Sequence, residues 1–419
     1  MPEKEKQASR KKRSKTTPLQ KIAVVLFTLV VCVVTYIVYK AMNSGMGLPV
    51  NNFGTIISEK TTATQPTQTQ LVDPTQPPQT TQPTETTRNF SDEEIAMLYM
   101  NDMTLEEKIW QLMLVRPAAA NSPDGVQRPV GGVYYAPEDL TDGAQLPEQL
   151  EQMRTSYEIP VLLGVSEEGG SVAPLSALGL TDPLEPMATY GEAGDEQAVY
   201  DFSLKLGQKL SELGFHFNLA PVADTVNWYP EDVGDRSFST DVDVAAKMVS
   251  QSVKAMGEGG TIACLKHFPN LGSSATDGTN DISWRPYANF RETDFVPFRA
   301  GIEAGAQMVL VSNMMAPDMT NGVYMPCCMS ENIVNNILRS ELGFKGVVIS
   351  DDQSGRTDAE AFVSIIRAGC DMILMPADAQ AAFDAIIAAV RDGSLSEERI
   401  NESVYRILLM KCGANIIVE

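Results

Sequence analysis

The chain has 419 residues, with 32 lysines and arginines against 54 aspartates and glutamates, and its formal net charge is −22. A hydrophobic fraction of 43% and a charged fraction of 21% are typical of globular proteins and exclude a chain that is disordered throughout. The acidic total argues against general nucleic-acid binding, which requires a basic surface. Six cysteines are too few for a disulfide scaffold of this length.

The N-terminal 40 residues carry nine lysines and arginines, most of which precede the uncharged run Ile22–Tyr39. Eighteen helical residues span about 27 Å, close to the hydrocarbon thickness of a bilayer. We therefore expect an uncleaved transmembrane helix over residues 22–40, with residues 1–21 as a basic cytoplasmic tail. This orientation predicts a single-pass protein of the cell membrane whose remaining residues are extracellular. A cleaved signal peptide is the alternative, but Thr35-Tyr36-Ile37 is a poor cleavage site.

Residues 41–88 form a predicted disordered linker. Within it, Thr61–Thr87 contains 11 threonines, 6 glutamines and 5 prolines, which bury too little apolar surface to offset the entropy lost on ordering. The predicted folded domain is therefore residues 89–419. Five cysteines lie in this domain, mostly in apolar runs, and we expect them to be buried and unpaired.

Short apolar runs alternate with helical stretches along this domain. The predicted strands are Leu112–Val115, Gly131–Tyr135, Pro160–Val165, Phe215–Leu219, Ile262–Lys266, Met308–Ser312, Gly346–Ser350 and Met372–Met375. The predicted helices are Glu196–Leu213, Asp241–Glu258, Phe295–Ala304, Ser330–Leu342, Asp358–Ala368 and Ala379–Asp392. Uniformly apolar strands in this alternation indicate an α/β fold, a (β/α)8 TIM-like barrel. A doubly wound open sheet is the alternative, but Gly164–Gly170 lacks the spacing of a dinucleotide fingerprint.

Polar residues follow five of the predicted strands at their carboxyl ends. They are Ser166-Glu167-Glu168, Asp224 with Gly234-Asp235-Arg236, Lys266-His267, Asn313, and Asp351-Asp352. One such residue commonly caps the next helix, but the carboxyl ends of barrel strands meet at one rim, so five of them predict an active site. The domain has only two histidines, so we expect no histidine-rich metal site, and no cofactor is predicted.

The order of motifs resembles the N-terminal barrel of family-3 glycoside hydrolases, most closely the single-domain bacterial β-N-acetylhexosaminidases. The resemblance runs from Met103–Ile109 to about Cys412. It includes Glu168-Gly169-Gly170, Gly234–Phe238, Lys266–Pro269, Phe290–Asp294, Gly346–Asp352 and Ala368–Met372. It implies a carbohydrate substrate, an N-acetylhexosamine-containing glycan of the cell wall, which is cleaved by a retaining double displacement.

The same resemblance implies roles for individual residues. Asp351 aligns with the family nucleophile, which attacks the anomeric carbon of the sugar. Arg236, Lys266, His267 and Glu168 match substrate-binding positions, where charge-assisted hydrogen bonds hold hydroxyl and acyl groups. The chain is thus expected to contact the glycan and, through its N-terminal helix, the membrane. No nucleic-acid partner and no particular oligomeric state are predicted.

The chain departs from the family pattern in the segment that normally supplies the general acid/base. The family has an Asp–Ser–His run there, and this chain has Asp277-Gly278-Thr279, so the aspartate is kept and Thr279 replaces the catalytic histidine. Ser166 replaces a sugar-binding aspartate, and Ser171 replaces an arginine. Because a threonine hydroxyl does not donate a proton near neutral pH, two hypotheses stay open. One is a working glycosidase with a replacement acid; the other is a degenerate barrel that binds glycan or a protein partner without turnover.

Overall fold

The computed structural model describes residues 90–121, 123, 125–225, 233–276 and 281–418. The predicted tail, transmembrane helix and linker lie outside these residues, and so do Asp277 and Thr279. Among the helices of the described part, none has the length and hydropathy needed to span a bilayer.

Eight parallel strands form the central sheet, each within or overlapping a run predicted from the sequence. The strands among the described residues are β1 (Met113–Val115), β2 (Gly132–Tyr135), β3 (Leu162–Val165), β4 (Phe217–Asn218), β5 (Ile262–Phe268), β6 (Ala275–Thr276), β7 (Asp281–Ile282), β8 (Met308–Val311), β9 (Val347–Ser350) and β10 (Ile373–Leu374). The sheet order is β10-β1-β2-β3-β4-β5-β8-β9, and β6 pairs separately with β7. A parallel bridge between Ile349 and Met372 joins β9 to β10, so the sheet is a nearly closed, TIM-like barrel rather than an open doubly wound sheet.

The barrel strands are apolar on both faces because each face covers its own core. One cluster, which includes Leu114, Phe217 and Leu310, fills the barrel, and a larger one lies between the sheet and the helices. Gly164 makes room for the ring of Phe217, since a Cβ on this glycine would lie 1.9 Å from the ring. The five cysteines of the described residues are all buried and unpaired, as expected.

The helices surround the barrel. The α-helices are Asp92–Asp102, Leu105–Gln111, Leu146–Thr155, Pro174–Ala177, Met187–Ala193, Glu196–Leu213, Val242–Glu258, Tyr287–Asn289, Phe295–Glu303, Ala359–Ala368, Ala379–Asp392 and Glu397–Gly413. Two π-helical segments, Phe290–Asp294 and Asn332–Glu341, complete them, and the second replaces the α-helix expected over 330–342. The other predicted helices are confirmed, and two of them agree at both ends.

Capping residues explain why these helix boundaries are predictable. Asp195 accepts a hydrogen bond from the Ala198 amide at the start of one helix, and Gly214 ends that helix with a φ of 103°. Asp378 and Gly393 do the same for the helix Ala379–Asp392. These caps fix both ends of the two helices whose boundaries agree with the prediction.

Candidate active site

Glu168 holds two cations at the carboxyl end of β3. Arg236 donates to it from Nε at 2.8 Å and from Nη2 at 2.9 Å, and Lys266 Nζ lies 2.5 Å from its Oε1. Burial alone would raise the pKa of this carboxyl, but the charges of Lys266 and Arg236 outweigh burial and lower the pKa to about 2. Glu168 is thus a fixed anion that positions both cationic side chains.

Ser166, directly after β3, is hydrogen-bonded to two neighbouring side chains. Its Oγ accepts a hydrogen bond from Tyr134 Oη at 3.1 Å and another from Lys266 Nζ at 3.4 Å. Burial raises the pKa of Tyr134 to about 12, so this phenol is a neutral donor. The hydroxyl of Ser166 therefore stands within a polar network of this chain's own side chains.

His267 is oriented by Asp224, a carboxylate buried after β4. The Nδ1 atom of His267 lies 2.6 Å from Asp224 Oδ2. Asp224 Oδ1 accepts from the backbone amides of His267 at 3.1 Å and Leu271 at 2.8 Å. The peptide bond between Lys266 and His267 is cis. Because Asp224 occupies Nδ1, Nε2 is the ring nitrogen left for a ligand.

Asp351 follows β9, and two backbone amides fix its carboxylate. Asn313 N donates to Oδ2 at 3.0 Å, and Asp352 N donates to Oδ1 at 2.9 Å. The side chain of Asn313 is itself held, since Nδ2 donates to the Asp352 carbonyl at 2.7 Å and Oδ1 accepts from Gln353 Nε2 at 2.8 Å. Each carboxylate oxygen has a further lone pair, so neither is fully occupied by these bonds.

A cavity of about 360 Å³ lies at this rim. The structure brings Asp351, Lys266, His267 and Ser166 together around it, whereas Arg236 stands behind Lys266 through their shared partner Glu168. The described residues include no group of three or more His, Cys, Asp or Glu side chains arranged to hold a metal ion.

Arg116, Glu138 and Tyr134 also line the cavity, although none of them is among the site residues predicted from the sequence. Arg116 follows β1 and donates to Asp139 from Nε at 2.9 Å and from Nη2 at 2.8 Å. The same Nη2 lies 3.6 Å from a carboxylate oxygen of Glu138. Arg116 and Glu138 follow the first two predicted strands. Their position as polar residues after a strand, which pointed to the other five strand ends, was thus a signal that could have identified them.

Glu167, which neighbours Glu168, serves the loop rather than the cavity. Its carboxylate accepts from the Leu175 amide at 2.8 Å, the Ser176 amide at 3.0 Å and Thr181 Oγ1 at 2.8 Å. Burial raises the pKa of this group, and the three hydrogen bonds oppose that rise. Glu167 therefore stabilises the start of the helix Pro174–Ala177, whose first amides it accepts from.

The segment with Asp277 and Thr279 lies between β6 and β7, outside the described residues. The flanking strands pair antiparallel, with Ala275 opposite Ile282 and Thr276 opposite Asp281. The backbone of Met315, in the loop after β8, accepts from Ser283 at 2.8 Å and donates to Asp281 at 2.7 Å. The residues next to this segment are thus attached to the loop that begins with Asn313.

Similarity to known proteins agrees with this architecture. Residues 104–410 match the family model described as Glycosyl hydrolase family 3 N terminal domain. The chain is 30% identical over 328 residues to the beta-hexosaminidase LpqI of Mycobacterium tuberculosis, a match that covers 73% of this chain and 82% of that protein. It is 28% identical to a beta-N-acetylglucosaminidase/beta-glucosidase of Cellulomonas fimi, with 68% of this chain covered. The chain spans about half the length of that relative, at 53%.

A solved structure shows the same relationship. The glycoside hydrolase family 3 beta-N-acetylglucosaminidase from Paenibacillus superposes with a TM-score of 0.69 at 29% sequence identity, covering 76% of this chain and 64% of that one. The family model alone covers well over half of the 419 residues. The chain therefore belongs to glycosyl hydrolase family 3.

Proposed function

We propose that this chain is a membrane-anchored glycosidase of the β-N-acetylhexosaminidase type that acts on amino-sugar glycans of the cell wall. The observation that carries the proposal is Asp351, whose carboxylate is fixed by two amides beside the cavity lined by Lys266 and His267. The names of the relatives, beta-hexosaminidase and beta-N-acetylglucosaminidase, support this substrate class.

In the proposed reaction, an oxygen of Asp351 bonds to the anomeric carbon while the bond from that carbon to the aglycone oxygen breaks. The aglycone oxygen takes the electron pair of the broken bond and a proton. Water then attacks the anomeric carbon, its second proton passes to a base, and Asp351 is released as a carboxylate. The amides of Asn313 and Asp352 keep the nucleophile oriented through both steps.

The cationic side chains are proposed to hold the sugar. Lys266 and Arg236 share Glu168, so their positions are set before a glycan arrives, and His267 is oriented in the same way by Asp224. Groups that are already positioned lose little entropy on binding, which favours transition-state stabilisation. Asp277, which keeps the place of the family's orienting aspartate, is proposed to give its proton to the aglycone oxygen in the first step and to take one from the attacking water in the second.

A second candidate is a barrel that binds glycan without turnover, and one observation favours it. Ser166 stands where the family has a sugar-binding aspartate, and its hydroxyl is engaged by both Tyr134 and Lys266. A hydroxyl that already pairs with protein groups offers less to a sugar than a carboxylate would. Replacement of the acid/base histidine by Thr279 points the same way.

We also propose that the domain is held at the outer face of the cell membrane by residues 22–40. The uncharged run after a basic segment supports this location. Protease treatment of intact cells tests it: an anchored domain is digested from outside while the tail is protected. Protection of the whole chain, or its release into the medium, contradicts the proposal.

One assay separates the two candidates. The full chain in detergent is tested on 4-nitrophenyl β-N-acetylglucosaminide and on the disaccharide chitobiose, beside the variant Asp351→Asn. Turnover of both substrates that the variant loses supports an enzyme with a replacement acid. Turnover of the nitrophenyl substrate alone shows a working nucleophile without an acid. Binding of glycan with no turnover of either substrate rejects the enzyme and supports the second candidate.

A further inference from the structure

Two large aromatic side chains are exposed on neighbouring loops of the barrel. Trp284 is 65% exposed and Tyr324 is 60% exposed, although rings of this size usually bury most of their surface in a folded domain. Their centroids lie 5.9 Å apart, with an angle of 68° between the ring planes. We call these two rings the aromatic platform.

The aromatic platform is attached to paired backbone rather than to free loop ends. Met315, in the loop after β8, bridges Ile282 in parallel and Pro326 in antiparallel fashion. Trp284 comes two residues after Ile282, and Tyr324 comes two residues before Pro326. Both rings are therefore held close to a three-segment ladder, which limits the entropy lost when they bind a ligand.

This ladder leads directly to the candidate active site. Asn313, whose amide lies 3.0 Å from Asp351 Oδ2, is two residues before Met315. Two extended residues cover at most about 7 Å, and paired strands lie about 5 Å apart. The backbone of Trp284 is thus at most about 22 Å from the carboxylate of Asp351, a distance that an oligosaccharide of several residues can span.

The surroundings of the platform fit a neutral ligand, because Arg285, the charged residue next to Trp284 in the chain, is paired with the buried Asp294 at 3.0 Å. The turn 320–326, which carries Tyr324, contains no charged residue, and its Val323 is also exposed, at 54%. Aromatic faces pack on the C–H face of a sugar ring, while indole and phenol groups donate hydrogen bonds to its hydroxyls. A patch of three side chains is too small for a stable dimer, which buries about 800 Å² on each partner.

We propose that the aromatic platform binds a neutral sugar ring of a bound glycan, beyond the sugar that occupies the cavity beside Asp351. The orientation of the glycan, with the sugar that is cleaved off in the cavity and the rest of the chain towards the platform, rests on the proposed function. Binding itself requires no turnover. The platform thereby selects glycans of several residues over single sugars.

The test is a calorimetric titration of the full chain with chitohexaose and with N-acetylglucosamine, in an Asp351→Asn background so that no glycan is consumed. Trp284→Ala and Tyr324→Ala are each expected to weaken chitohexaose binding roughly tenfold, with monosaccharide binding unchanged. Trp284→Phe keeps a ring and is expected to retain most of the affinity. Leu98→Ala, at an exposed apolar residue of the helix Asp92–Asp102, is the matched control.

Equal affinity of the alanine variants and the parent for chitohexaose overturns the proposal, and so does a parent that binds no chitohexaose. Light scattering that shows a dimer dissociated by Trp284→Ala, with glycan binding unaltered, overturns it in favour of self-association. If the alanine variants lose affinity for chitohexaose but not for N-acetylglucosamine, and the parent chain hydrolyses neither substrate, the platform is supported and the proposed function fails. If the parent chain hydrolyses the nitrophenyl substrate but the alanine variants bind chitohexaose as the parent does, the proposed function is supported and the platform fails.

Discussion

Lys266 Nζ lies 2.5 Å from Glu168 Oε1, within a buried cluster that Arg236 completes. Removing one member of such a cluster leaves an uncompensated buried charge, which typically costs about 3–5 kcal/mol. Here the two cations would lose their common anion. The position of Lys266 at the cavity, and that of Arg236 behind it, therefore depend on a single carboxylate.

Glu168→Gln is expected to lower the free energy of unfolding at pH 7 by about 3 kcal/mol. The pKa of Glu168 is lowered in the folded state, from 4.5 to about 2, so its stabilisation is complete above pH 4.5 and is lost as the pH falls towards 2. The difference between variant and parent should shrink over this range. Urea titrations at pH 7, 4 and 2.5 measure it, with the exposed ion-pair residue Glu151→Gln as control. A pH-independent difference would contradict the assignment.

Asp224→Asn is expected to weaken sugar binding without unfolding the domain. The asparagine keeps an oxygen for the amides of His267 and Leu271, but its NH2 group faces His267 Nδ1. Nδ1 then becomes an acceptor, and the ring proton moves to Nε2, which reverses the hydrogen-bonding role of Nε2 towards a ligand. Such orienting partners typically contribute about 10- to 100-fold at metal sites, and we expect a loss nearer tenfold here.

The measurement is the affinity for N-acetylglucosamine, together with the pH dependence of binding. Asp243→Asn, at an exposed carboxylate in the first turn of the helix Val242–Glu258, is the control. Unchanged affinity in Asp224→Asn would mean that Nε2 does not contact the sugar.

Lys411→Met is expected to stabilise the protein. Lys411 is fully buried, its Nζ donates to Gln111 Oε1 at 2.8 Å, and burial lowers its pKa from 10.5 to about 7. The unfolded chain therefore binds more protons between pH 7 and 10.5, and stability rises with pH across this window. After the lost hydrogen bond is subtracted, we expect the free energy of unfolding of the variant at pH 7 to exceed that of the parent by about 2 kcal/mol.

Denaturant titrations at pH 7, 8.5 and 10 test this expectation, because the variant should lose the rise with pH as well as gain stability. Lys209→Met, at an exposed lysine, is the matched control and should change neither quantity. A variant less stable than its parent at pH 7 would show that the hydrogen bond to Gln111 outweighs the burial of the amine.

The barrel could be predicted from the sequence because its strands are buried on both faces and therefore read as uninterrupted apolar runs. The helix Glu397–Gly413 was not predicted, although Ile400, Val404, Ile407 and Leu408 follow a helical period on its buried face. Polar residues beside and between them obscure this period in the sequence, and two of these residues, Arg399 and Arg406, are half-buried and form ion pairs with Asp371.

The candidate site could be predicted best where a residue lies at the carboxyl end of a strand. Asp351 directly follows β9, Lys266 and His267 lie in the last three residues of β5, and the structure brings all three to one cavity. The part played by Glu167 could not be read from the sequence, because it depends on a loop that folds back to present Leu175 and Ser176 amides. The pairing of Glu168 with Arg236 joins residues 68 positions apart and depends on the parallel pairing of β3 with β4.

Thr279→His is expected to increase hydrolysis of chitobiose by up to about 10²-fold, while turnover of the nitrophenyl substrate changes little. A sugar is a poor leaving group and requires a proton, whereas nitrophenolate leaves without one. The variant restores the acid/base histidine two positions after Asp277, the spacing that the family uses. Initial rates on both substrates measure the effect. Thr279→Asn, which adds a side chain without an acid, is the control, and an equal gain in both variants would show that size rather than proton transfer is responsible.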